Sequence, residues 1–196
     1  MRKIILGVVI FMLLVGGLYQ VNKVLFKDIN VEEEAAMEKP KDDKPVSNQG
    51  EEDKESEPEV GIRKGHIAAD FTLPNLDNKS ESLWDYRGKK IILNFWSADC
   101  PPCREEMPDL NDYYLEHKDD NVVVLGVNLG QSPEVVEGFI DQNGYEFPIL
   151  VDPNNSVAYA YGVVYLPTTY FIDEEGIIQD IHIGMLTKED LENYTK

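Results

Sequence analysis

Hydrophobic and polar positions follow three different patterns along this chain. From Ile4 to Asn22 no charged residue interrupts the sequence, and 4–19 is almost wholly apolar. From 28 to 60 Glu, Lys, Asp, Pro and Ser dominate, and 38–59 is nearly free of aliphatic side chains. From 61 onward short apolar runs are separated by turn residues, the pattern of a folded domain.

Within 61–196 the runs predict alternating strands and helices. Lys90–Trp96 (KIILNFW) and Asn121–Leu129 (NVVVLGVNL) are continuous apolar stretches, as expected of strands buried on both faces. Ala69–Leu73 and Ser80–Leu83 are expected to pair as a short hairpin around Asn75–Lys79. Cys100–His117 reads as a helix with a kink at the internal Pro108. Ser132-Pro133 caps a helix that runs through Asn143 and ends at Gly144. Phe147–Val151 is a short strand, and Asn154–Tyr161 a helix stopped by Gly162. Thr168–Asp173 and Ile177–Ile183 form a hairpin around Glu174-Glu175-Gly176, and Leu186–Tyr194 is a further helix. A βαβ unit followed by a hairpin and a helix predicts an α/β fold with a mixed central sheet and helices on both faces.

Charge divides the 196 residues at the same places. Residues 1–27 hold four bases and no acid, 28–60 thirteen acids and four lysines, and 61–196 twenty-four acids and ten bases. The apolar run of the first segment suffices to cross a hydrocarbon core of roughly 30 Å. Arg2 and Lys3 precede it, which keeps the N-terminus cytoplasmic and exports the remainder. Residues 1–27 are therefore expected to be an uncleaved transmembrane signal-anchor. A cleaved signal peptide competes, but Gly16–Gln20 offers no A-x-A site, and the absence of a following cysteine excludes a lipoprotein. Residues 28–60 cannot bury enough apolar surface to fold and read as a flexible acidic spacer. The net charge of −19 repels phosphate backbones, so nucleic acid is not an expected partner.

The chain has two cysteines, which rules out a disulfide-stapled scaffold and a four-cysteine zinc site. They form Cys100-Pro101-Pro102-Cys103, where a buried strand hands over to a helix. That spacing puts two thiols within disulfide reach. It also sets Cys100 at or near the N-cap, where the helix dipole favours a thiolate. Cys100 is expected to be exposed and to attack, and Cys103, one turn on, to be shielded and to resolve the mixed disulfide. No metal is expected, because His66, His117 and His182 stand at unrelated spacings.

The stretch Asn94–Pro108 (NFWSADCPPCREEMP) resembles the active-site segment of the thioredoxin superfamily. More narrowly, it is similar to the membrane-anchored thiol–disulfide oxidoreductases of the TlpA/ResA (StoA-like) family. Gly65–Pro74 and Leu83–Lys90 resemble that family's N-terminal hairpin and the lead into its central strand. Ser132–Tyr161 resembles its helix–strand insertion, and Tyr165–Asp173 (YLPTTYFID) its cis-proline segment. The resemblance implies a thioredoxin-like fold and a redox-active Cys100–Cys103 pair. It further implies a cis Pro167 beside the pair, with the Leu166 backbone free to pair with an extended substrate. Trp96, Pro101 and Pro102 join Leu166 and Pro167 as expected substrate contacts, although Trp84, Tyr86, Phe95 and Trp96 also read as core and rim packing. Glu106, three residues beyond Cys103 on the same helix face, matches an acidic residue of the ResA-like proteins. It is expected to accept a proton from the resolving thiol, or to hold the thiol pKa values up by its charge, against the alternative of an ordinary solvated glutamate.

Two positions depart from thioredoxin. Asn94 stands where thioredoxin has a buried Asp, leaving proton transfer to Glu106 or water. Asp99 stands where a Trp usually precedes the first cysteine, and its charge should disfavour the Cys100 thiolate. Pro101 and Pro102 act in the same direction, since neither offers an N–H to the sulfur. A modestly acidic Cys100 suits a reductant. The expected partners are exported proteins with disulfides, such as apocytochrome c or spore-envelope proteins, and a membrane electron donor of the CcdA/DsbD type. No cofactor is called for, and a monomer is the expected state. Two rivals share part of the pattern. A peroxiredoxin would carry P-x-x-x-T-x-x-C, where this chain has Leu93 and Ser97. A Sco-type copper carrier would carry C-x-x-x-C, one residue wider.

Overall fold

The structure, a computed structural model, describes residues 58–195. The expected anchor at 1–27 and all but the end of the expected spacer lie outside the described residues. Among the described residues no helix is long and apolar enough to cross a membrane.

The chain enters through β1 (Val60–Gly61), which pairs in parallel with β2 (Ile67–Ala68), so residue 60 already belongs to a strand rather than to the spacer. The expected hairpin follows as β3 (Thr72–Pro74) and β4 (Ser80–Ser82), shorter than its apolar pattern suggested. A 3-10 helix, Leu83–Tyr86, is closed by a Ser82/Asp85 capping box. Then come β5 (Lys90–Trp96), α1 (Pro101–His117), β6 (Val122–Leu129), α2 (Pro133–Asn143) and β7 (Ile149–Asp152). The series ends with α3 (Ser156–Ala160), β8 (Thr168–Ile172), β9 (Ile178–Ile183) and α4 (Lys188–Thr195). The five-stranded sheet has the order β7-β6-β5-β8-β9. Its β5, β6 and β7 run parallel, and β8 and β9 run antiparallel to their neighbours.

Side-chain alternation along β5 divides the interior. Ile92 and Trp96 point into a core shared with α1, α2 and α4 through Met107, Leu110, Val136 and Leu191. Ile91, Leu93 and Phe95 point into a second core with the hairpin, the 3-10 helix and α3. Both faces are covered, which is why β5 reads as an unbroken apolar run. The same parity sets Asn94 on the α1 side, fully buried.

Several ends differ from the sequence reading for local reasons. Ser132 occupies the N-cap of α2, but its hydroxyl makes no capping bond. Gly144 does end α2, in the left-handed conformation glycine adopts cheaply. The last helix begins at Lys188 rather than Leu186. Thr187 and Asp190 form a reciprocal cap, with Thr187 N–H donating to Asp190 Oδ2 at 2.9 Å and Asp190 N–H to Thr187 Oγ1 at 3.3 Å. Leu186 is thereby left outside the helix.

Candidate active site

Cys100 is the N-cap of α1, with extended backbone angles, and Cys103 lies in the first turn. Prolines at the first two helical positions cost nothing here, because those N–H groups have no intrahelical partner. The third, Cys103 N–H, donates to Cys100 Sγ at 3.3 Å. One donor therefore reaches the first sulfur despite the two prolines. The cysteines form a disulfide with Cα atoms 5.3 Å apart. Cys100 is half-buried and Cys103 fully buried, while Pro101 and Pro102 are exposed beside them.

The Leu166–Pro167 peptide bond is cis. Phe95 pairs with Thr168, so the cis bond falls at the end of β5 from which the chain runs into Cys100. Pro167 is buried and its carbonyl accepts Gly184 N–H at 2.9 Å. Thr168 Oγ1 donates to the Tyr165 carbonyl at 2.8 Å. Leu166 between them is half-buried and packs against both cores. An adjoining groove of about 320 Å³ runs past Ser97, Leu129, Tyr159, Val164 and Leu166. Its rim is apolar, with Tyr159 78% and Val164 79% exposed.

Glu106 is not a solvated glutamate: it is 1% exposed. Its Oε1 accepts Asn94 Nδ2 at 2.8 Å and its Oε2 accepts Leu186 N–H at 3.0 Å. Asn94 Nδ2 also donates to Thr169 Oγ1 at 2.9 Å, which leaves Asn94 Oδ1 buried without a partner. Burial pushes the carboxyl up to about 7, against the opposing pull of those two donors. A group that titrates near neutrality one helical turn from Cys103 can take and return a proton there.

Trp96, expected to touch substrate, is 0% exposed and lies 5.5 Å, centroid to centroid, from Phe139. The reason is β5 parity, which turns the indole into the α1-side core. It supports the site from beneath instead of contacting what binds there.

Gln131 was not singled out by its sequence, yet it holds the turn before Cys100. Its Oε1 accepts Ala98 N–H at 2.8 Å, Asn128 Nδ2 at 3.0 Å and Ser97 Oγ at 3.2 Å. Its Nε2 donates to Asp99 Oδ2 at 3.2 Å, so the carboxylate expected to burden Cys100 is pinned by an amide. His182 and His117 engage groups other than the cysteines. His182 Nε2 contacts the Met185 carbonyl, and His117, at the far end of α1, lies between Asp120 and Glu192. Asp120 first and then Glu192 hold the His117 imidazolium above its ordinary range. Glu116, His117 and Glu192 could bring three metal-ligating atoms within 4.8 Å of one another. Lys188 and the His117 contacts already engage them.

A two-cysteine helix start, a cis-proline against it and a buried acid behind it, on a mixed sheet of this order, define a thioredoxin-like thiol–disulfide oxidoreductase. The chain belongs to the AhpC/TSA family, which it matches over residues 64–181. It is 44% identical over 140 residues to the thioredoxin-like protein YneN of Bacillus subtilis strain 168, covering 70% of this chain and 81% of the relative. It is 41% identical over 135 residues to the thiol–disulfide oxidoreductase ResA of Geobacillus thermodenitrificans strain NG80-2, covering 69% and 78%. The solved structure of StoA from Bacillus subtilis superposes with a TM-score of 0.59 at 34% identity, covering 65% of this chain and 97% of that one. These relatives carry the thiol–disulfide reading over the peroxidase and copper-carrier ones.

Proposed function

We propose that this chain is a membrane-tethered disulfide reductase working outside the cytoplasm. The observation that carries the chemistry is the asymmetry of the pair: a half-exposed Cys100 capped by one N–H, and a buried Cys103 one turn from a buried Glu106. Starting from the dithiol, the Cys100 thiolate attacks one sulfur of a substrate disulfide. A mixed disulfide forms and the substrate's other sulfur leaves as a thiolate, which takes a proton. Glu106 accepts the proton of Cys103, whose thiolate attacks Cys100 Sγ and expels the second substrate thiolate. The substrate gains two electrons, and the protein is left with the Cys100–Cys103 disulfide. Leu166 offers its backbone to an extended substrate segment, Pro167, Pro101 and Pro102 flank it, and the adjoining groove takes a side chain next to the substrate cysteine.

The apolar run of 4–22 behind Arg2 and Lys3 supports the tether and the export. Re-reduction then needs a membrane carrier of the CcdA/DsbD type. By the family resemblance of the active-site and cis-proline segments, the clients are exported proteins with disulfides, such as apocytochrome c or spore-envelope proteins. Direction is tested by the reduction potential of the full chain in thiol buffers. A value near or below about −250 mV is expected for a reductase fed by such a carrier, and one near about −120 mV would make the protein a disulfide-forming oxidase. Protease added to intact protoplasts should remove the domain. Protection of the domain would sink the exported placement.

A further inference from the structure

Both donors to Glu106 come from outside α1, Asn94 from β5 and the Leu186 N–H from the segment that leads into α4. Between β9 and α4 the chain crosses the site as a strap, residues 184–188. Its upstream end is tied by Gly184 N–H to the Pro167 carbonyl at 2.9 Å, directly after the cis bond. Its downstream end is tied by Lys188 N–H to Asp109 Oδ2 at 3.2 Å. Between the ties the Leu186 side chain is buried in the cluster that holds Cys103 and Met107, and the Leu186 N–H meets Glu106 Oε2.

Asp109 stands three residues after Glu106, on the same face of α1. It satisfies a particular need. The start of α4 exposes N–H groups with no intrahelical partner. Thr187 and Asp190 cap each other, which leaves the first helical N–H, that of Lys188, for an outside acceptor. Leu191 of α4 also packs in the core with Met107 and Leu110 of α1, and ion pairs between the helices join Glu116 to Lys188 Nζ and Glu192 to His117. The ion pairs are partly exposed, and such pairs fix little. The upstream tie is backbone to backbone, so the downstream tie is the one a side chain controls.

We propose that Asp109 is a positioning residue: by accepting the Lys188 N–H it seats the start of α4 and keeps the Leu186 N–H on the Glu106 carboxylate. The inference deepens the role proposed for Glu106 and rests on it for its effect on catalysis. The groups that face the carboxylate are Asn94 Nδ2 from β5 and the Leu186 N–H from the strap, with Thr169 of β8 behind Asn94, and none of them is charged. On α1 its titratable neighbours are Cys103 and Asp109, and Lys188 is the cation at the end of the strap. A donor withdrawn from an ionised carboxylate raises its pKa.

The test follows the Glu106 carboxyl by carbon-13 NMR titration in the oxidised full chain, with the signal assigned by its loss in Glu106→Gln. Asp109→Asn and Asp109→Ala remove the same charge, but only Asn keeps an oxygen for the Lys188 N–H. The Ala midpoint is expected above the Asn midpoint by about half a pH unit or more. Lys188→Pro and Lys188→Ala likewise lose the same charge, and only Pro loses the N–H, at a helix position proline tolerates. Pro is expected to titrate higher than Ala. Equal midpoints within both pairs, in chains folded by circular dichroism, overturn the inference. Midpoints that separate while the pH profile of disulfide reduction stays fixed uphold Asp109 as the seat of α4 and instead remove Glu106 from the mechanism.

Discussion

A carboxylate at 1% exposure is costly unless donors meet both oxygens, and Glu106 has one donor on each. The donors keep it ionisable, and burial keeps it a base of the right strength. Glu106→Gln retains the shape and loses the proton acceptor. The variant is expected to form a mixed disulfide with substrate normally and to resolve it roughly 100-fold more slowly. Quenched-flow alkylation should show the mixed species accumulating, as it does permanently in Cys103→Ser, and unchanged resolution would remove the base. At this scale the sequence was legible where chemistry sits within one helix turn: the cysteine pair and Glu106 share three-residue spacings. Asn94, Gln131 and Leu186 were not read as partners, because their contacts span 12, 33 and 80 residues. Such distances carry no periodic signal. Trp96 shows the converse, since an aromatic beside the motif says nothing about which way β5 turns it.

At the level of elements, apolar runs located β5 and β6 nearly to the residue, because burial on both faces keeps almost every position apolar. Short elements were misplaced where capping side chains set the boundary, as with Thr187 and Asp190 at α4. α3 is an instance with a measurable consequence. Five residues do not make a stable helix alone. The buried Asp152 accepts four donors at its start: the N–H groups of Ser156, Val157 and Ala158 and the Ser156 hydroxyl. Asp152→Ala strands the buried Val157 and Ala158 N–H groups and is expected to cost about 2–3 kcal/mol in urea unfolding. The reduction potential should stay put, since the cysteines pack in the α1-side core and Val157 of α3 in the other. A potential that moved with it would tie the groove wall to the thiols.

For the whole molecule, Glu106 makes stability depend on pH. Burial pushes its carboxyl up to about 7 in the fold, against an ordinary value of 4.5 when exposed. Between those values the folded chain binds more protons than the unfolded one, so stability falls as pH rises from about 4.5 to about 7 and levels above. The full difference is roughly 3 kcal/mol. His117, held above its ordinary range, also loses stabilisation as pH rises, so the Glu106 part must be isolated by comparison. Urea midpoints of the oxidised chain from pH 5 to 8.5 should fall more steeply than those of Glu106→Gln, and parallel curves would contradict the buried charge. The sheet order has a further consequence, for biosynthesis. The strand that delivers the cysteines pairs on one side with a strand that begins 65 residues beyond Cys103, and Pro167 arrives only with that strand. At ribosomal speeds of roughly 5–20 residues per second, the nascent thiols emerge several seconds before their shield exists. During that interval they are ordinary cysteines, open to whatever oxidant or foreign thiol the compartment holds. A newly made molecule therefore acquires its redox character when its C-terminal third docks, and until then it is a potential client of its own kind.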